Sequence, residues 1–223
     1  GTGAGAIVGL GPVSLDFGYA ASNAGSPNLG SGLFNGGYGA IAQITYLSDF
    51  VDAAVMYSNS YDGNGFTSDN GYLLGDFSGG NLFADSASIA NIYGAQVNFK
   101  FGIFEVGGGG MYMPVRVLGE GDYDVWSYQG TVAVRDLLGD GNMLGLVAGV
   151  PPRIAGTSPG LAGNLGLPHS ARQDASFLAE LFYLFRINDN ISITPGLVYI
   201  ADPGNNNDND DTFVGAIRTT FTF

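Results

Sequence analysis

Residues 191–223 read ISITPGLVYIADPGNNNDNDDTFVGAIRTTFTF and decide the fold. Two alternating segments flank a loop of Asn and Asp. Side chains of an extended strand point to opposite faces in turn. Phe213, Gly215, Ile217, Thr219, Phe221 and Phe223 therefore share one face, and Val214, Ala216, Arg218, Thr220 and Thr222 share the other. The first face is aromatic or aliphatic, the second small or polar. A Phe-Thr-Phe ending is out of place on a water-soluble surface. A membrane barrel with lipid outside and water inside gives each of these residues a position.

The same alternation recurs upstream. Tyr93, Val97, Phe99 and Phe101 oppose Gln96, Asn98 and Lys100; Trp126, Tyr128, Val132 and Val134 oppose Ser127, Gln129, Thr131 and Arg135. Phe177, Ala179, Leu181, Tyr183, Phe185 and Ile187 oppose Ser176, Glu180 and Arg186. Eleven strand-like segments result: 2–10, 13–21, 37–47, 51–61, 91–101, 104–117, 123–137, 143–154, 174–187, 191–202 and 212–223. Tight turns and longer loops alternate between them, which puts tight turns on one rim of an antiparallel sheet and long loops on the other. A water-facing sandwich shares the period, but its strands are shorter and its polar face carries more Lys and Glu.

Composition agrees. Charged residues are 12% and aromatics 13%, with 38 glycines among 223 residues. A formal net charge of −13 argues against nucleic-acid binding, which needs a basic face. Cysteine is absent, and no apolar run of about 18 residues marks a membrane helix. The fold expected is all-β, an antiparallel transmembrane barrel occupying residues 1–223. Bacterial barrels have even strand numbers, and Gly1-Thr2-Gly3-Ala4-Gly5 reads like mid-strand. The expectation is therefore the C-terminal part of a barrel of about 16 strands, its first strands lying before Gly1.

Four stretches carry a family resemblance. They are Gly32-Leu33-Phe34-Asn35-Gly36, Asp124-Val125-Trp126, Val150-Pro151-Pro152 and the whole end, 188–223. Together they resemble the carbohydrate-selective porin B family, in its cyanobacterial branch. The resemblance implies a passive outer-membrane pore for ions or sugars. It also implies a wall-anchoring segment toward peptidoglycan that these residues do not include, and a terminal aromatic read during barrel insertion. A homotrimer is usual for such porins. The expected partners are the lipid bilayer and small hydrophilic solutes, with no nucleic acid and no cofactor. The expected location is the outer membrane, with long loops outside and the C-terminus periplasmic.

The pore-lining candidates follow from the polar strand faces: Gln96, Lys100, Gln129, Arg135, Glu180, Arg186 and Arg218. A charge facing lipid at mid-depth costs about 2–4 kcal/mol, so these residues belong in the lumen. There they either bias which ions pass or pair with lumen carboxylates such as Glu180. Glu105 and Arg116 have no assignable direction, because Gly107–Gly110 blurs the register. Residues 62–90, with Phe66, Tyr72, Leu73, Leu74, Phe77 and Phe83, are either the best candidate for a loop folding into the pore or, the plainer reading, an ordinary packed surface loop.

Two features have blander readings. The NNNDNDD run at 205–211 offers oxygen ligands for calcium but lacks the glycine spacing and terminal Glu of a helix–loop–helix site, so a solvated loop is favoured. His169, the only histidine, stands beside Ser170 in a Gly/Pro loop without an orienting carboxylate. No catalytic or metal site is assigned. An outer-membrane barrel hydrolase and a soluble sugar-binding sandwich remain the alternatives to a pore.

Overall fold

The structure is a computed structural model describing residues 1–63, 86–164 and 175–222. Eleven strands follow one another: β1 (Thr2–Leu10), β2 (Val13–Ala21), β3 (Tyr38–Leu47), β4 (Val51–Asp62), β5 (Ser88–Phe101), β6 (Phe104–Val117), β7 (Gly121–Arg135), β8 (Met143–Thr157), β9 (Phe177–Asn188), β10 (Ile191–Ala201) and β11 (Thr212–Phe221). One short helix, α1 (Pro159–Asn164), follows β8. Each strand pairs antiparallel with its sequence neighbours in a single sheet, ordered β1 to β11. Among the described residues no pairing joins β1 to β11, so the sheet is open. Strand lengths run from 9 to 15 residues, and a tilted strand needs about 9–11 to cross a bilayer.

Register extends the alternation across strands. Gln129 pairs with Gly109, Gly109 with Gln96, and Gln96 with Ala54, placing all four on one face, called inner here. The outer face carries Tyr57, Phe99, Val106, Tyr128, Leu146, Leu181, Leu197 and Ile217, all well exposed. These large apolar side chains have no protein cover. The glycine run is regular strand: Gly107 and Gly109 face inward and Gly108 and Gly110 outward, each paired on both sides. That settles two directions. Glu105 faces inward opposite Lys100, and Arg116 faces outward opposite Asp122.

Two aromatic belts edge the outer face. Tyrosines gather at the long-loop rim, where Tyr57, Tyr93, Tyr112 and Trp126 follow one another at 5.3, 6.3 and 4.6 Å between ring centres. Tyr199 and Phe213 continue the belt at 5.0 Å. Tyrosine hydroxyls there donate to Asn91, Asp124 and Asp211. Phenylalanines gather at the opposite rim, where Phe50 packs edge-on against Phe101 at 5.1 Å. Amphipathic rings at membrane–water interfaces have this placement.

The strict alternation of tight and long connections does not hold. Residues 118–120 suffice to join β6 to β7 on the long-loop rim, while 136–142 join β7 to β8 on the other. Gly119 and Gly121 take the positive φ that the abbreviated turn requires (85° and 146°). Strands β5 and β8 also run three residues further than the alternation suggests, to Ser88 and Thr157. Both extensions build the long-loop end of the inner face.

Candidate functional site

The inner face divides into three zones along the strands. At the turn rim it is charged, at mid-height it is amide-rich over glycine, and at the long-loop rim it is apolar.

The charged zone holds Lys100 and Arg135. Lys100 Nζ lies 2.7 Å from Asp52 Oδ2 and donates to the Ser48 carbonyl at 2.9 Å. Arg135 Nε lies 3.0 Å from Glu105 Oε1, and its Nη2 donates to the Gly102 carbonyl at 2.8 Å. Asn98 donates to the other Glu105 oxygen at 2.9 Å, and Glu105 stands opposite Lys100 in the ladder. Arg186 pairs with Asp189 at 2.7 Å in the β9–β10 turn. These cations therefore meet carboxylates, but not Glu180. Glu180 stands further up the same face, opposite Val198 and Val147. Arg218 is exposed opposite Thr194 and makes no ion pair or hydrogen bond among the described residues. All seven sequence candidates thus occupy one face by register, though among the described residues only Lys100, Arg135 and Arg186 have ionic partners.

The amide zone holds Gln43, Gln96 and Gln129. Gln43 donates to Asp16 Oδ2 at 3.3 Å and to Thr45 Oγ1 at 3.0 Å. Gln96 and Gln129 flank Gly109 across two strand spacings. A Cβ on Gly109 would stand 2.9 Å from the Ala95 carbonyl and 3.0 Å from Gln96 Cβ. The missing side chain leaves the floor low between the two amides. Two neighbouring hollows of about 290 and 340 Å³ share Ala54, Gln96, Gly109 and Gln129 as lining. Met56 and Met111 border the first, and Thr45, Asn98 and Thr131 the second. The zone offers uncharged donors and acceptors over a floor that a side chain would fill.

The apolar zone escaped the sequence reading. Ala90, Val115, Val117, Tyr123, Val125 and Ile154 are buried together on the inner face, and Leu161 of α1 packs into them at 1% exposure. Burying a leucine stabilises by about 1.5–3 kcal/mol, enough to hold a short connection down. Ser158 secures the same segment: its amide donates to the Asp122 carbonyl at 2.8 Å and its hydroxyl accepts from the Asp122 amide at 3.0 Å. The β8–β9 ladder stops at the Gly149–Leu178 pair. Pro151 and Pro152 follow and have no N–H to continue it. β8 shifts register against β7 on both sides of Arg153, between Trp126 and Tyr128 and between Asp124 and Val125. Its end then leads the connection over the inner face.

The candidate for an inward-folding loop, residues 62–90, lies for the most part outside the described residues, as do His169, Ser170 and Phe223. The segment seen to fold inward is the start of the β8–β9 connection. The sequence carries part of its signal: Val150-Pro151-Pro152 marks where a ladder must stop, while Leu161 among Gly and Pro does not show what it packs against. The NNNDNDD loop is held by its first residue. Asn205 is buried and accepts from the Ser176 amide at 2.6 Å, while its own amide donates to Ser176 Oγ at 2.9 Å. The rest of that run is solvated.

The family model described as carbohydrate-selective porin, OprB family, matches residues 1–223. The chain is 36% identical to the uncharacterized protein alr4550 of Nostoc sp. over 222 residues, 96% of this chain and 37% of that protein. It is 33% identical to the uncharacterized protein sll0772 of Synechocystis sp. over 231 residues, 95% of this chain and 41% of that protein. The chain thus spans about two fifths of the length of these curated relatives. Among solved structures, the outer-membrane expressed OmpT of Vibrio cholerae is similar with a TM-score of 0.65 at 9% identity, over 99% of this chain and 65% of that one. That likeness speaks for the fold alone, an outer-membrane β-barrel.

Proposed function

The chain belongs to the carbohydrate-selective porin OprB family, and from that premise we propose that it forms wall of a water-filled pore in the outer membrane. Small hydrophilic solutes, ions and carbohydrates among them, cross it passively, without catalysis or cofactor. One observation carries the reading: a single register puts Gln96, Lys100, Gln129, Arg135, Glu180, Arg186 and Arg218 on one face and the bare aromatic and aliphatic side chains on the other. Lipid covers the second face and water wets the first.

The inner face suits neutral solutes best. Lys100, Arg135 and Arg186 are offset by Asp52, Glu105 and Asp189. Amide side chains occupy the hollowed middle, where they exchange hydrogen bonds with hydroxyl groups of either sense. Charge selectivity is then set by the residues outside those pairs, with Asp16 and Glu180 attracting cations and Arg218 attracting anions. The long-loop rim faces outward and the turn rim faces the periplasm. The intact protein assembles as a homotrimer in the bilayer, and contact with peptidoglycan belongs to a segment other than this one.

Reconstitution of the intact protein into planar bilayers tests the proposal. Stepwise single-channel conductance is expected, with sugar permeation in liposome swelling. Membrane insertion without stepwise current would overturn it.

A further inference from the structure

We infer that the start of the β8–β9 connection, latched by Leu161 on the inner face, sets the size limit for solutes entering at the long-loop rim. The inference rests on the pore reading above and goes beyond it by assigning the limit to one connection and one side chain.

Four observations converge on the latch. Leu161 is buried at 1% exposure in a socket whose residues all face inward by register: Val115 and Tyr123 pair with each other, Val117 pairs with Gly121, and Val125 pairs with Ile154. Ser158 and Asp122 exchange two hydrogen bonds across the mouth. Gly121 admits the segment by having no side chain, because a Cβ there would collide with Ser158 Oγ and stand 3.0 Å from Leu161 Cβ. The prolines at 151 and 152 stand where the ladder to β9 stops, so this stretch of β8 is not bound on both sides.

The socket explains an oddity of composition. The inner face of a water-filled barrel is polar, yet here its rim end is valine, tyrosine and isoleucine. Those side chains are buried in one cluster with Leu161. The docked residues 158–161 therefore occupy lumen cross-section next to the hollow lined by Met111, Ser127 and Gln129. Bulky solutes meet the latch before they meet the amides. Small ions and monosaccharides pass beside it.

The test compares the intact wild-type protein with Leu161→Asp and Leu161→Ala. Leu161→Asp places a charge in the socket and expels the segment. Leu161→Ala weakens the latch without adding charge, so a folded variant is available if the first fails to assemble. Each is read by single-channel conductance and by liposome swelling with sugars from mono- to tetrasaccharide. The expected result is a rise of about threefold in the rate for the larger sugars, with the monosaccharide rate nearly unchanged, as follows from widening one constriction. Gly121→Val, which displaces the segment from the other side, gives the same pattern. A wild-type protein that conducts, with variants whose size profile is unaltered, would overturn the latch. A wild-type protein without stepwise conductance would overturn the pore reading instead.

Discussion

Lys100 Nζ on β5 stands 2.7 Å from Asp52 Oδ2 on β4, and this contact joins two strands on the inner face. Both side chains are less than one third exposed. The pair sits beside a second one, Arg135 with Glu105, to which Asn98 also donates. Removing one partner leaves the other charge to act on passing ions. Lys100→Met is expected to shift the reversal potential in a salt gradient toward cation selectivity, and Asp52→Asn toward anion selectivity. Stability should fall by only about 1 kcal/mol in either case.

Adjacent residues of β7 offer a test of facing. Thr131 borders an inner hollow, and Val132 is exposed on the outer face. Val132→Arg should destabilise the protein by about 2–4 kcal/mol in denaturant unfolding from lipid bilayers, the cost of an arginine against mid-depth lipid. Thr131→Arg should cost far less and lower the conductance. Equal costs at the two positions would contradict the assignment of faces.

Gly109→Val tests the low floor between Gln96 and Gln129. Its Cβ would meet the Ala95 carbonyl at 2.9 Å, so the strand must shift. Overpacking of this kind costs about 1–3 kcal/mol. The expected readout is a lower midpoint of denaturant unfolding together with smaller sugar-swelling rates.

The 205–211 loop should prove independent of metal. Asn205 accepts from the Ser176 amide through its side chain and donates to Ser176 Oγ through its own amide, Asn206 and Asn209 bond within the loop, and Asp211 accepts from Tyr199. Addition of a chelator should leave the thermal midpoint unchanged. Asn205→Ala, by contrast, leaves the buried Ser176 amide unpaired, at a cost of about 1–3 kcal/mol. A chelator-induced fall in the midpoint would restore the calcium reading.

Much of the fold was legible because period-two alternation survives translation into register. β1, β2 and β6 begin and end where alternation places them, at Thr2–Leu10, Val13–Ala21 and Phe104–Val117. The facing of Gln96, Gln129 and Arg218 followed from the same rule. Alternation failed where both faces carry similar side chains. Gly107–Gly110 gives no contrast, so Glu105 and Arg116 were unassignable until pairing fixed them. Val115 and Val117 face inward although they are apolar, and they are buried in one cluster with Leu161. That cover comes from a connection more than forty residues further along the chain, and no local pattern records it. Ionic partners were equally hidden, since Lys100 meets Asp52 diagonally across strands rather than along one.

The central claim is that one face of this sheet lines a water-filled pore and the other touches lipid. Neighbouring residues of β7 test it most directly, because Gln129 faces inward and Tyr128 outward. The chain contains no cysteine, so Gln129→Cys and Tyr128→Cys each introduce a single reactive thiol here. Single-channel current is recorded from each variant while a membrane-impermeant, charged thiol reagent is added. The account predicts a stepwise fall in conductance for Gln129→Cys and none for Tyr128→Cys. Block at Tyr128→Cys with none at Gln129→Cys, or no stepwise conductance before the reagent is added, would contradict it.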